Sequence, residues 1–299
     1  MNILIGGTGF LGGAVAEEMV KRQMPLRCLV RKDSDISQLK QLGIELYEGD
    51  VRERDSLKKV MEGAESVISS FTTRVFKRPK AAEFWENDYQ GNSNLIQLAR
   101  EQQVKKYIFV SYWGLAKFGG FEHGKVKRVV EDLLKISGLD YTIFRVTTLA
   151  TDMSVFLGNR LKKKGWAPML MKREEKVRPI LPEDLARCMV DALDNLKASH
   201  KIIEVAGEEE YTFVELRDLF SKVLHKKVSF IFIPPKLAYF LAGIVDSFTG
   251  GEYNAKGLVS AFTGGSTCDI SEMKDIFTIN QGSFAKYLED YFRNQEFGD

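Results

Sequence analysis

The sequence predicts an α/β chain built on a doubly wound parallel sheet, with a smaller C-terminal lobe. Two observations carry this expectation. Short apolar runs alternate with stretches of helical periodicity through the first half, and a glycine-rich turn, "ILIGGTGFLGGAV" at residues 3 to 15, joins the first apolar run to the first helical one. Parallel strands need crossovers of a dozen or more residues, and the helical stretches supply them.

In chain order, Ile3–Ile5, Leu26–Val30, Ile44–Tyr47, Ser66–Ser69, Tyr107–Val110 and Tyr141–Arg145 read as strands. Gly12–Arg22, Arg54–Met61, Asn87–Gln102 and Lys125–Ser137 repeat apolar residues every three or four positions and read as helices. Beyond about residue 150 the rhythm loosens into Met- and Lys-rich sequence. Pro182–Leu193 then reads as a helix, Lys201–Val205 as a strand and Thr212–Leu224 as a helix. The expected division is a nucleotide-type domain over 1–150, rejoined by about 178–207, and a smaller lobe over 151–299. The most apolar segment, "FIFIPPKLAYFLAGIVDSF" at 230 to 248, is broken by Pro234, Pro235, Lys236 and Asp246 and is too short to span a bilayer. Two readings of it stay open: a lobe-closing core helix starting near Pro235, or an apolar surface for a protein partner or a membrane face.

Composition excludes several classes. Lys plus Arg number 43 against 41 Asp plus Glu, a net charge of +2 that gives no reason to expect a nucleic-acid partner. Cys28, Cys188 and Cys268 are far apart and lack metal-ligand or disulfide-framework spacing, so no metal site is expected and a reducing compartment is. Met1 and Asn2 lead straight into Ile3, so no secretion signal is expected before the first strand. The expected location is the cytoplasm, or a matrix or stromal side for a processed chain.

A strand turning sharply into a helix leaves the first helical amides without partners, and their partial positive charge suits a pyrophosphate. Gly6, Gly9 and Gly12 match the three roles of a dinucleotide loop: one makes the turn, one admits the phosphate to the backbone, and one lets helix and strand pack. Thr8, Phe10 and Leu11 complete the expected loop. After the second strand, "CLVRKDSD" places Arg31 and Lys32 where a cation would meet a 2′-phosphate, which favours NADP(H). Asp33 and Asp35 keep NAD(H) open. Asp50, after the third strand, is expected either to accept a hydrogen bond from adenine or to cap the following helix.

These residues, together with "NDYQGNSNLIQLAREQQVKKYIFVS" at 87 to 111 and "SGLDYTIFRV" at 137 to 146, resemble the atypical short-chain dehydrogenase/reductase superfamily, and within it the NmrA-like NAD(P)-binding proteins. That family mixes reductases and epimerases with redox sensors and assembly proteins, among them a nucleotide-binding accessory subunit of respiratory complex I and a photosystem II assembly factor. The resemblance implies a Rossmann fold and a bound dinucleotide, and adds Val51, Ser70 and Phe71 to the cofactor positions. It makes Ser111 the serine that polarises a substrate carbonyl. The family's Tyr-x-x-x-Lys is replaced here by "HGKVK": His123 stands at the tyrosine and Lys127 fits the lysine that binds ribose. His123, Lys127 and Glu131 fall at successive i, i+4 positions and are expected on one helical face. His123 is a candidate proton donor or else an ordinary helix-start residue, and Tyr112 is a second candidate acid if the strand ends there. Two functions remain in view. One is a cofactor-binding regulator or assembly protein with weak or absent catalysis. The other is an NADP-dependent reductase or epimerase acting on a small carbonyl or sugar-type substrate.

Overall fold

The computed structural model describes residues 1–75, 79–115 and 120–296. Seven parallel strands form one sheet: β1 (Asn2–Ile5), β2 (Leu26–Val30), β3 (Glu45–Glu48), β4 (Ser66–Ser69), β5 (Lys106–Tyr112), β6 (Tyr141–Val146) and β7 (Lys201–Val205). Their spatial order is β7-β6-β5-β4-β1-β2-β3, so the chain reverses direction across the sheet between β1 and β4. In sheets of this kind ligands bind at the carboxyl ends of the strands, at such a switch point.

Alternation along the strands divides the core in two. Leu4, Ile68, Ile108 and Phe144 face helices α1 (Phe10–Lys21) and α5 (Pro182–Asp191). Ile3, Ile5, Val67, Phe109 and Ile143 face α2 (Arg54–Met61), α3 (Gln90–Glu101) and α4 (Glu122–Ile136). This is the doubly wound arrangement that the alternating sequence predicts. A third core gathers Leu161, Phe213, Phe220, Phe230, Phe284 and Phe292 around α6 (Phe213–Val223) and α8 (Phe284–Glu296). Short strand pairs tie this part together, Trp166–Met169 running parallel to Ser229–Phe232 and Lys176–Val177 antiparallel to Tyr211–Thr212.

Three helix starts differ from the periodicity reading. α1 begins at Phe10 rather than Gly12, because the glycines of the loop are accepted in its first turn. α4 begins at Glu122, three residues before the apolar repeat becomes visible at Lys125, which brings His123 into its first turn. Before α3, a π-helical turn over Phe84–Tyr89 buries Phe84 and Asp88, a feature with no period to betray it.

The glycine loop is held by close approaches. Gly6 has φ +91°, and a Cβ there would lie 2.7 Å from the Phe71 backbone nitrogen. A Cβ on Gly12 would lie 2.0 Å from the Gly6 carbonyl oxygen, whereas on Gly13 it would meet only the end of the Gln38 side chain. Gly12→Ala is therefore expected to destabilise the fold by about 1–3 kcal/mol through overpacking against backbone. Gly13→Ala is expected to be near neutral or stabilising, since alanine favours a helix and Gln38 can move. Urea unfolding of the two variants checks this; equal losses would contradict the packing role of Gly12.

Candidate functional site

The expected cofactor positions converge on the carboxyl edge of β1, β2 and β4. The Gly9 amide donates to the Gly6 carbonyl at 3.0 Å and the Gly13 amide to Gly9 at 2.7 Å, closing the turn into α1. Gly9, at the N-cap, has no side chain to bond the first amides of α1. Thr8 and Phe10 are exposed, whereas the Leu11 side chain is buried in the core and can offer only its backbone to a ligand. Ser70 is fastened to the end of β1, its amide and hydroxyl each donating to the Ile5 carbonyl at 3.0 Å. Val51 and Phe71 meet at Gly91 of α3, where a Cβ would lie 2.6 Å from Val51 and 3.0 Å from the Phe71 ring.

Arg31 and Lys32 are exposed after β2. Asp50 does not cap α2, whose N-cap is Glu53. Its carboxylate instead accepts from the Arg52 amide at 2.9 Å and from the Arg52 guanidinium at 3.0 and 2.6 Å. These bonds, with the Arg31 charge in addition, hold its carboxyl below the ordinary range. Asp35 accepts from the Ser37 amide at 3.0 Å and closes a turn at the start of the short helix Ser37–Gln41.

The residues expected to do chemistry are arranged differently from the family pattern. β5 does end at Tyr112, as required for Ser111 and Tyr112 both to lie at the crevice. However, Ser111 is buried and its hydroxyl donates to Glu131 at 2.6 Å. Glu131 in turn accepts from Arg145 at 3.1 and 2.6 Å. The Ser111 hydroxyl is thus committed to a buried ion pair.

His123, Lys127 and Glu131 share one face of α4, as their spacing predicts, and all three are buried. Lys127 donates to the Val110 carbonyl at 3.0 Å, with its ammonium 4.7 Å from the centre of the Phe109 ring. His123 is 0% exposed and stacks on Phe84 at 4.4 Å between ring centroids. Its Nε2 lies 2.7 Å from the Thr72 hydroxyl and 3.3 Å from Asp88, and its Nδ1 lies 3.2 Å from the Tyr112 hydroxyl.

Proton bookkeeping orders this chain. Asp88 accepts from the Thr73 amide at 3.0 and 3.1 Å and from the Thr72 hydroxyl at 2.7 Å. Thr72 has one proton and gives it to Asp88, so its oxygen accepts from Nε2–H of His123. Nδ1 is then the acceptor for the Tyr112 O–H. The imidazole is neutral: burial drives its pKa below the ordinary 6.5, and the nearby Lys127 charge acts in the same direction against Asp88. Burial works to raise the Asp88 carboxyl, but its hydrogen bonds to His123 and Thr73 and the Lys127 charge outweigh it and hold the group ionised, below the ordinary carboxylate range. Burial raises the Tyr112 phenol far above its usual pKa, and Asp88 and Asp152 push it further up. Beyond β6, burial lifts the Asp152 carboxyl to about 6.

Sequence reasoning missed Thr72, Phe84, Asp88 and Asp152. Asp88 stands in the quoted "NDYQGN" stretch, but nothing in the spacing pairs it with His123. Trp85 donates to Glu122 at 3.0 Å, Trp113 to Glu204 at 3.1 Å, and Trp166 lies under Arg160.

The NAD(P)H-binding family matches residues 6–196 of the chain. The chain belongs to this family. Among relatives, the photosystem II assembly factor Ycf39 of Cyanophora paradoxa is 33% identical over 144 residues, 48% of this chain and 44% of that protein. Ycf39 of Trieres chinensis is 23% identical over 97% of this chain and 91% of its own length. The chloroplastic divinyl chlorophyllide a 8-vinyl-reductase of Arabidopsis thaliana is 26% identical over 82% of this chain and 62% of that protein. The NADPH complex of a quinone oxidoreductase from Escherichia coli superposes with a TM-score of 0.74 at 18% identity, covering 98% of this chain and 100% of that one. This likeness shows the Rossmann fold. No helix among the described residues is long and apolar enough to cross a membrane.

Folding lowers the imidazole pKa, so below pH 6.5 the unfolded chain takes up the His123 proton before the folded chain does. Stability from this site is therefore complete above pH 6.5 and falls as the pH drops below it. Unfolding midpoints in urea between pH 7.5 and 5.5 are expected to fall in the wild type and to fall less steeply in His123→Asn. Parallel slopes would contradict a neutral buried imidazole.

Proposed function

We propose that the chain holds NADP(H) at the carboxyl edge of its sheet and acts as a cofactor-binding regulator or assembly protein with weak or absent catalysis. The observation that carries this reading is the burial of His123 with both ring nitrogens committed. The residue at the family's proton-donor position faces Thr72, Asp88 and Tyr112 rather than open space. The Ser111 hydroxyl is likewise engaged by Glu131, and the Tyr112 phenol is raised in pKa rather than lowered, which makes it a poorer acid.

The residues present suit a dinucleotide. The uncapped start of α1 offers amides to a pyrophosphate, and Gly9 and Gly6 leave the backbone approachable. In this reading the exposed Arg31 and Lys32, which directly follow β2, meet the 2′-phosphate, and Asp35 is occupied by the Ser37 amide, which weakens its claim on a ribose hydroxyl. Lys127 retains ammonium protons beyond the one given to Val110 and is assigned to the ribose. The cofactor, once bound, supplies a hydride equivalent; this protein's own contribution is binding, orientation and exclusion of water. The assembly-factor names of relatives aligned over nearly the whole chain agree with this reading.

A second reading, an NADP-dependent reductase, rests on the partly exposed Tyr112. If Tyr112 gave its proton outward, His123 would have to present a proton at Nδ1 instead, and Thr72 would turn its hydroxyl from Asp88 to Nε2. The resting hydrogen bonds run in the opposite direction. The vinyl-reductase relative keeps this reading in play.

NADPH at about 100 times its Kd is expected to add about 2.7 kcal/mol to stability, seen as a rise in Tm. Arg31→Glu is expected to weaken NADPH about tenfold or more, the scale of one charge-assisted hydrogen bond, and to leave NADH nearly unchanged. NADPH oxidation with a panel of quinones and conjugated carbonyls is expected to stay at the buffer rate. Turnover that Tyr112→Phe abolishes would overturn this proposal in favour of the reductase, and equal loss of NADH and NADPH binding would overturn the role of Arg31.

A further inference from the structure

Helix α7 (Pro235–Phe248) is amphipathic in an inverted sense. Its buried residues are the small Ala238 and Ala242, one turn apart, which let it lie close against the protein. Leu237, Phe240, Leu241, Ile244, Val245 and Phe248 recur at i, i+3, i+4, i+7, i+8 and i+11, and that stripe faces outward. Phe240 is 65% exposed and Phe248 87%. The strand pair leading into the helix repeats the pattern. Phe230, Ala167 and Met169 are buried, while Trp166 and Ile231 point out, at 40% and 51% exposure. A contiguous run of large exposed apolar side chains of this kind marks a surface that another phase or molecule covers.

Cations border the patch. Lys236 and Lys256 line a shallow depression with Tyr239, Phe240 and Ile244. Arg173 lies 5.3 Å from the Phe232 ring, and Arg160 lies 4.6 Å from the Trp166 ring. Lys226 donates to the Lys162 carbonyl, bringing the Lys226–Lys227 turn beside the run Lys162–Lys164. Between Asp218 and Asp246 the sequence contains no acidic residue. The carboxylates nearest the helix are engaged: Asp246 accepts from the amides of Ala255 and Lys256 at 2.7 and 3.0 Å, and Glu252 pairs with Lys80 at 2.5 Å. Glu175, beside Arg173, accepts from the Lys172 amide at 2.9 Å. The chain as a whole is nearly neutral, so this concentration of positive charge around the apolar stripe is local.

We propose that this face docks on the surface of an anionic lipid bilayer, with α7 lying in the interfacial plane, its apolar stripe among the acyl chains and the surrounding lysines and arginines at the headgroups. At 14 residues the helix is about 21 Å long, suited to lying flat and too short to span. The positive rim selects the occupant. A second copy of this chain would bring the same cations against one another, whereas anionic headgroups match them. The inference is independent of how the dinucleotide is used, because the face is distinct from the residues at the sheet edge.

The test is flotation of the intact protein with vesicles of phosphatidylcholine alone and of phosphatidylcholine mixed with phosphatidylglycerol. Binding is expected to the mixed vesicles and to weaken on raising salt. Phe248→Glu, at the most exposed position, and Phe240→Glu are expected to abolish flotation while leaving Tm and NADPH-induced stabilisation unchanged. Lys226→Gln with Lys227→Gln is expected to weaken binding to the mixed vesicles by about 30-fold. A protein that stays unbound with both vesicle types overturns the proposal. So does equal binding to neutral and anionic vesicles, and so does a solution dimer that Phe240→Glu dissolves without any vesicle binding.

Discussion

The contact between the Gly6 carbonyl and the Gly12 backbone sets the geometry of the whole carboxyl edge. A Cβ on Gly12 would lie 2.0 Å from that oxygen, so α1 and β1 approach as closely as two backbones can. The approach aims the start of α1 across the crevice, and Gly6 in turn lies against the backbone of Phe71 after β4. Ser70 returns two hydrogen bonds to Ile5. The loop, the end of β1 and the exit of β4 are therefore one rigid unit, and Val51 and Phe71 extend it to α3 through Gly91. A preformed site of this kind spends little binding energy on ordering itself.

Beside this cradle lies a polar network whose Asp88, His123, Ser111, Lys127 and Glu131 are buried. Asp88, Thr72, His123 and Tyr112 form a chain of hydrogen bonds, and Ser111, Glu131 and Arg145 form another; Lys127 rises between them on the shared face of α4. Low dielectric makes each bond strong and each unmade bond expensive, so such networks favour one arrangement over its alternatives. Rearranging them to move a proton outward would require several hydrogen bonds to change direction together. The same residues that would serve catalysis in a Tyr-x-x-x-Lys site here fasten β5, the Phe84–Tyr89 turn and α4 into a fixed wall for the crevice.

Much of this was legible in the sequence because it has a period or a spacing. The seven strands follow from apolar runs, the doubly wound parallel sheet from βαβ rhythm, and the glycine loop from three glycines between a strand and a helix. The shared face of His123, Lys127 and Glu131 follows from i, i+4 spacing, whereas its burial is set by the elements packed against α4. What was not legible depends on tertiary contact. Asp88 sits in a π-helical turn that no repeat announces, and it meets His123 only because β4, α3 and α4 converge. Ser111 looks available in a motif, but the structure turns its hydroxyl onto Glu131. The role of the 230–248 segment also needed three dimensions: its apolar stripe is the same whether it faces core or solvent, and only the burial of Ala238 and Ala242 tells which side faces the protein.

A crystal structure of the NADPH complex shows whether the cofactor is held while the proton-donor position stays closed. The pyrophosphate is expected within hydrogen-bond distance of the first amides of α1, Arg31 at the 2′-phosphate, and His123 still bonded to Thr72 and Tyr112 under Phe84. A His123 ring swung away from Thr72 and Asp88, with a nitrogen in reach of the space beside the nicotinamide, would overturn the closed arrangement.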